Sequence, residues 1–187
     1  MARVELKKPN IITLEFRQEK EDKDYGSCLW ARFILDTENY DMHIISDCGK
    51  YGYGWIPTPE HESFLKLMSR INEDYFLDKI ASRETIDNDK TYENIKFLLE
   101  QSAGENLEDI NIDLEELENA CNENNDINIA DGVRSVIKFT SLDDYIEDYE
   151  LYDNIEKDYS ASQKKIAEVF KNYIQPKIRE LLKGGAE

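Results

Sequence analysis

The first 55 residues alternate between apolar and polar positions in a way that predicts four β-strands. Ile12, Leu14 and Phe16 follow a period of two, and the same period recurs over 29–35, 40–44 and 51–55. Short connections between these segments favour an antiparallel meander, because parallel strands need long crossover connections. The pattern therefore predicts an N-terminal antiparallel sheet of about four strands.

The apolar spacing changes to a helical period after the fourth strand. An N-cap signal at 58–60 and an apolar stripe from Phe64 to Tyr75 predict one helix over 59–80. This helix is expected to cover the sheet. A second helix is predicted over 92–104, where a glycine suits the C-cap.

The second half of the chain is predicted to be mainly helical. Asp113 has the spacing of a helix cap, whereas the Asn- and Asp-rich segment 122–131 is typical of a loop. Apolar residues over 133–139 predict one more strand. A last helix is predicted over 166–182, which Pro176 is expected to kink or divide.

These elements together predict an α+β protein. We expect residues 1–104 to form the sheet-plus-helix core, in which the N-terminal antiparallel sheet is packed by a helix. Residues 105–187 are expected to form an acidic, mainly helical region that is packed on this core or appended to it. A chain of 187 residues is long enough for this arrangement and too short for two large domains.

Acidic residues dominate the composition and concentrate in the second half. The chain has 41 Asp and Glu against 23 Lys and Arg, a net charge of −18. Residues 105–158 hold 18 acids and 3 bases, a net charge of −15, while the remainder holds 23 and 20. Because phosphate binding needs clustered cations, this balance argues against direct binding to nucleic acid or an anionic membrane.

The acidic region has two interpretations. It is a solvated surface that maintains solubility, or its carboxylates imitate the phosphates of a nucleic acid and occupy a basic groove. Four tyrosines (145, 149, 152 and 159) lie among the acids, and such aromatic residues supply contact area at interfaces. The candidate partner-binding residues are Asp143, Asp144, Tyr145, Glu147, Asp148, Tyr149, Glu150 and Asp153.

Catalytic and metal-binding patterns are absent from the sequence. Cys28, Cys48 and Cys121 are odd in number and widely spaced, which indicates neither a disulfide framework nor a zinc site. His43 lies near Cys48 in sequence, but nothing in the spacing makes the two side chains meet. We assign no catalytic residue, no metal ligand and no cofactor.

Three aromatic residues of the fourth strand, Tyr51, Tyr53 and Trp55, share one face and alternate with glycines. They form either a platform for base stacking or a surface that a helix covers, and the second interpretation is favoured. The chain has no glycine-rich phosphate-binding motif, so the sequence gives no support for nucleotide binding. It also has no apparent signal peptide or membrane span, and we expect a soluble, cytoplasmic protein.

Part of the chain resembles a known group of proteins. Residues 46–55 read S-D-C-G-K-Y-G-Y-G-W, residues 62–65 read E-S-F-L, and Asn72, Tyr75 and Lys79 follow. The combination resembles small phage and prophage proteins that share an S-D-x-G-x-Y-x-Y-x-W strand and an E-S-F-L helix. The similarity covers about a fifth of the chain and identifies no active site.

This resemblance changes the functional expectation. It implies a phage or mobile-element protein, and we expect an inhibitor of the anti-CRISPR or anti-defence type. Such a protein would bind a basic host protein, for example a CRISPR effector, through its acidic face in the host cytoplasm. Two alternatives stay open: a metal-dependent nuclease or hydrolase that uses carboxylates such as Asp47, and a regulatory or assembly protein that dimerises through the helix over 166–182.

Overall fold

A computed structural model describes most of the chain and divides it into two compact units. Unit 1 comprises residues 1–82 and 159–187, and unit 2 comprises residues 83–158. The residues described are 6, 10–22, 24–57, 62–104, 107 and 111–185. The fold is α+β, which confirms the sequence-based expectation. The chain passes between the two compact units at residues 82/83 and 158/159. The sequence-based division of the chain into 1–104 and 105–187 stays a prediction.

The sheet of unit 1 is the predicted four-stranded antiparallel meander. Its strands run in the order β1-β2-β3-β4, with each strand paired to the next along the chain. Phe33 in the second strand lies opposite Leu14 on one side and Ile44 on the other. The strands are β1 (Ile11–Arg17), β2 (Trp30–Asp36), β3 (Asp41–Ser46) and β4 (Gly49–Gly54).

The helix predicted over 59–80 is two helices. Helix α1 (Phe64–Met68) ends after little more than one turn, and α2 (Glu73–Ile80) begins behind Asn72. The Asn72 side chain caps α2 by accepting a hydrogen bond from the backbone N–H of Tyr75 at 2.8 Å. The N-cap signal predicted at 58–60 lies outside the described residues.

A buried glutamine accounts for the interruption between α1 and α2. Gln175 is only 4% exposed, and its Nε2 donates to the carbonyl oxygens of Met68 at 3.0 Å and Ile71 at 2.8 Å. A helix end leaves such carbonyls without helical partners, and burying them unpaired is costly. The contact from a residue more than 100 positions away therefore stabilises the break.

The interruption also changes which side chains of α2 face the core. A continuous helix would bury Tyr75, but Tyr75 is 38% exposed, so the predicted stripe is wrong at this position. Phe76 and Leu77 are buried instead. The reason is that the turn over 69–72 shifts the helical phase of the residues that follow it.

The last helical segment of unit 1 is divided just before Pro176, as predicted. It consists of α7 (Ala161–Val169), a π-helical turn (Phe170–Ile174) and α8 (Gln175–Lys183). Proline provides no backbone N–H, so a regular helical hydrogen bond is lost there. The apolar stripe of this helical segment is buried in the core of unit 1. These side chains therefore pack within the chain, whereas the sequence also allowed them to form the seam of a homodimer. The buried stripe comprises Ile166, Val169, Phe170, Ile174 and Ile178.

Unit 2 is built mainly from helices around a second apolar core. Two of its predicted ends are confirmed: α3 ends at Gly104, whose φ of 70° suits glycine, and Asp113 caps α4. Residues 85–86 and 157–158 form a short antiparallel pair. The elements are β5 (Thr85–Ile86), α3 (Asn88–Ala103), α4 (Leu114–Cys121), α5 (Asp126–Ile137), α6 (Asp148–Asp153) and β6 (Lys157–Asp158).

Two sequence-based predictions fail at α5. The loop predicted over 122–131 ends at Asn125, and the strand predicted over 133–139 is helical to residue 137. Asn125 acts as an N-cap by accepting a hydrogen bond from the N–H of Asn128 at 2.9 Å. Ile129, Val133 and Ile137 then repeat every four residues and face the core, which a strand could not achieve.

None of the described helices has both the length and the apolar character of a membrane-spanning helix.

Candidate interaction surface

The segment over 138–153 in unit 2 has an apolar side that is buried and a polar side that faces solvent. Leu142, Ile146 and Leu151 belong to the core of unit 2 and fix the segment to α5 and its neighbours. Between them the chain forms turns and then the short helix α6. The intervening acidic and aromatic residues are thereby directed outward.

The eight residues predicted to bind a partner all lie on this segment. Asp144, Tyr145, Glu147, Asp148, Tyr149 and Asp153 are exposed, and Asp143 and Glu150 are half-buried. We call these eight residues the acidic surface. The structure thus brings them together on one short stretch of unit 2, although their role in binding stays a prediction.

Two of these acids have local structural partners. Asp148 pairs with Arg134, with Oδ1 2.6 Å from Nη2. The carboxylate of Glu150 accepts a hydrogen bond from the backbone N–H of Glu147 at 2.9 Å, which stabilises the start of α6. Within the described ranges, Asp143, Asp144 and Asp153 form no ion pair.

Exposed aromatic rings accompany the acids. Tyr145 is 76% exposed and Tyr149 is 64% exposed, and Tyr152 is also exposed. Phe139, which the sequence analysis assigned to a strand, is almost completely exposed beside them in sequence. Tyr159 does not belong to this group, because it is buried in unit 1 and its hydroxyl hydrogen-bonds to Asp78.

Unit 2 carries even more of the net charge than the segment 105–158 identified from the sequence. Unit 2 holds 23 acidic and 6 basic residues, a net charge of −17, whereas unit 1 holds 18 and 17, a net charge of −1. Almost the whole net charge of the protein is therefore carried by 76 residues. A field of this strength attracts cationic surfaces over several ångströms and weakens with added salt.

A second group of side chains with metal-ligating atoms lies in unit 1, and no sequence pattern indicated that its members would meet. The donor atoms of Cys28, Asp47 and Cys48 all lie within 4.8 Å of one another, and in the described part of the chain this is the group that could hold a metal ion. Both thiols are buried. The two cysteines are 20 positions apart, and only the pairing of β2 with β3 brings them together.

The electrostatics of this group favour a structural role. Burial, together with Cys48 and Asp47, raises the pKa of the Cys28 thiol far above its ordinary value, so the thiol stays protonated. Partial burial raises the pKa of Asp47, but hydrogen bonds from the N–H groups of Leu29 and Trp30 outweigh it and lower the pKa. Asp47 therefore fixes the start of β2, because its carboxylate accepts hydrogen bonds from the backbone N–H groups of Leu29 at 2.9 Å and Trp30 at 3.3 Å.

We expect Asp47→Asn to destabilise unit 1 in a pH-dependent way. An amide oxygen accepts the two backbone hydrogen bonds less strongly than a carboxylate, which costs about 1 kcal/mol at this partly exposed site. Since the folded-state pKa is lowered, the contribution is present at neutral pH and is lost as pH falls below about 3.9 through the folded value.

Urea unfolding at neutral pH and at about pH 3 measures this effect, because the difference between the two proteins should shrink in acid. Glu38→Gln, at an exposed turn position, is the matched control. A difference that is the same at both pH values would contradict this role of the Asp47 carboxylate.

Comparison with known proteins identifies a family for nearly the whole chain. Residues 7–180 match the model of a phage family, Phage phiTE 072. No curated protein and no solved structure shows a significant match. The match extends well beyond the 40 or so residues that carry the motif resemblance, and it includes the acidic surface.

Proposed function

The chain belongs to this family of phage proteins, and from that premise we propose that it inhibits a host nucleic-acid-binding protein. The acidic surface of unit 2 would bind the basic surface that normally accepts nucleic acid. The observation that carries the proposal is the concentration of charge, −17 in unit 2 against −1 in unit 1. A charge needed only for solubility has no reason to gather in one unit.

The physical basis is imitation of a phosphate backbone. Duplex DNA presents one negative charge per ~1.7 Å of its axis, and proteins that bind it present clustered Lys and Arg. Asp143, Asp144 and Asp153, whose carboxylates form no ion pair among the residues described, are available to such cations. Complementary potentials of this kind accelerate association and select the partner.

Exposed tyrosines add a source of binding energy that charge alone does not supply. Tyr145 and Tyr149 each present a large ring with a polar hydroxyl. Aromatic residues are enriched among those that dominate interface affinity, whereas charges at the rim contribute little each. The combination supports a specific protein contact in preference to general attraction between opposite charges.

The class of partner follows from the chemistry of the surface. A basic channel that holds a nucleic acid through its backbone, as in a CRISPR effector, has the cations and the width for an acidic protein unit. The partner is accordingly a basic host protein in the host cytoplasm. Nucleic acid itself is expected to compete with this protein and not to bind it.

Capture followed by competition tests the proposal. The tagged protein is incubated with host lysate at low and high salt, with and without a CRISPR effector, and each retained protein is purified. We expect the retained protein to be basic, to be released by salt, and to lose labelled nucleic acid when this protein is added. Retained proteins that keep their nucleic acid at saturating concentrations of this protein would contradict the proposal.

A further inference from the structure

Unit 1 contains a cavity that the acidic surface does not involve. It has a volume of about 510 Å³, within the range of small-molecule sites, and lies between β4, the α1–α2 turn and α2. Several motif residues that carry the phage resemblance meet here, although they are up to 26 positions apart. The residues used in the following argument are Tyr53, Trp55, Glu62, Arg70, Tyr75 and Lys79.

Aromatic rings form one wall of the cavity. Tyr53 and Trp55 contact each other edge to face with centroids 4.7 Å apart, and Trp55 donates from Nε1 to the Tyr75 hydroxyl at 3.1 Å. Trp55 itself is largely buried, whereas Tyr53 and Tyr75 keep part of their rings accessible. Accessible rings of this kind stack on planar ligands.

Two cations lie at the same cavity. The ammonium of Lys79 is 5.3 Å from the ring centroids of both Tyr53 and Tyr75, and no carboxylate pairs with it among the residues described. Arg70 is paired with Glu62, with Nε 2.6 Å from Oε1, and its guanidinium retains further donors. The cavity thus carries two positive charges and one negative charge in a protein of net charge −18.

The Tyr75 hydroxyl supplies a neutral donor beside these cations. It accepts the hydrogen bond from Trp55, which leaves its own proton for another acceptor, and no acceptor for it is present in the described ranges. Lys79, Arg70 and Tyr75 therefore offer donors of the kind that recognise an anion next to rings that recognise a planar group.

We propose that this cavity binds a nucleoside monophosphate, with the base against the tyrosine rings and the phosphate at Lys79 and Arg70. The ammonium of Lys79 and the remaining donors of Arg70 can hold a phosphate group, and the volume suits one nucleotide. A polynucleotide is disfavoured, because a protein of net charge −18 repels its many further phosphates. The site needs no glycine-rich loop, since side chains replace backbone N–H groups as phosphate donors.

Calorimetric titration of the full chain with a matrix of probes tests this assignment. The probes are AMP, GMP, CMP and UMP, the four corresponding nucleosides, and inorganic phosphate. At least one monophosphate should bind about tenfold or more tightly than its nucleoside and than phosphate alone, because only it engages both halves of the site. Quenching of tryptophan fluorescence gives a second readout, since Trp55 adjoins the cavity.

Variants locate the binding. Lys79→Met should weaken the best monophosphate about tenfold or more and leave its nucleoside nearly unaffected, and Tyr75→Phe should weaken the monophosphate while keeping the ring. Lys177→Met is the matched control, because Lys177 is an exposed lysine of unit 1 outside this cavity. Thermal unfolding verifies that each variant is folded.

Three results would overturn the proposal. One is the absence of saturable binding by all four monophosphates at millimolar concentration. Another is a nucleoside or inorganic phosphate that binds as tightly as the monophosphate. The third is unchanged affinity in a folded Lys79→Met protein. The site lies in unit 1, so these results are independent of whether the acidic surface of unit 2 binds a partner.

Discussion

Reversal of three charges, Asp143→Lys, Asp144→Lys and Asp153→Lys, should weaken binding to the captured basic partner more than about a hundredfold. Each change replaces an attraction with a repulsion, and close charge pairs at interfaces are coupled by roughly 1.5–7 kcal/mol. These three acids have no ion pair among the described residues, so their replacement does not break a salt bridge within unit 2. Affinity measured over a series of salt concentrations should also depend less steeply on salt.

A control with the same net charge separates a local contact from general attraction. Reversal of Glu19, Glu21 and Glu38, three exposed acids of unit 1, adds the same six charges and also changes the net charge from −18 to −12. We expect this control to bind within a few-fold of the unmodified protein. Equal losses in the two triple variants would mean that net charge, and not the acidic surface, determines binding.

Replacement of Phe76 by alanine should remove about 3–5 kcal/mol from the free energy of unfolding of unit 1. Phe76 is 0% exposed and stacks on Phe170 with ring centroids 4.1 Å apart and planes at 5°. The substitution removes this contact and leaves a cavity that the surrounding core cannot fill. A loss of that size is a large fraction of the stability of an ordinary domain.

Tryptophan fluorescence during urea unfolding is a suitable measurement, because both tryptophans, Trp30 and Trp55, lie in unit 1. The midpoint should move to much lower urea concentration in Phe76→Ala. Tyr25→Ala is the control, since Tyr25 is an exposed aromatic residue of the same unit and should change stability by only about 0.5 kcal/mol. A decrease of less than about 1 kcal/mol in the free energy of unfolding of Phe76→Ala would contradict a stabilising role of the Phe76–Phe170 stack.

Several predictions that depended on local patterns were confirmed, although those over 59–80 and 122–139 were wrong. The period of two in β1 to β4 places alternate side chains on one buried face, and short connections leave little choice but an antiparallel order. Asp113 and Gly104 were recognisable as helix ends because capping depends on the residue and its immediate neighbours. Pro176 divides its helix for the same local reason.

The candidate interaction surface could be found from the sequence because acids and tyrosines cluster within 11 consecutive positions, 143–153. Its exposure also followed from the apolar residues between them, which must be buried. The extent of the charged unit could not be found in this way. Residues 83–104 belong to unit 2 because they pack against its core, and no local composition change marks residue 83.

Sequence alone determined the sheet, the helix ends at Gly104 and Asp113, and the location of the charge. Tertiary structure decided where α1 stops, that α5 is a helix, and which motif residues meet in the cavity of unit 1. The physical reason is that these features depend on partners distant along the chain. Gln175 satisfies the carbonyls of Met68 and Ile71, the resulting turn rotates Tyr75 out of the core, and Tyr75 can then lie beside Trp55 and Lys79.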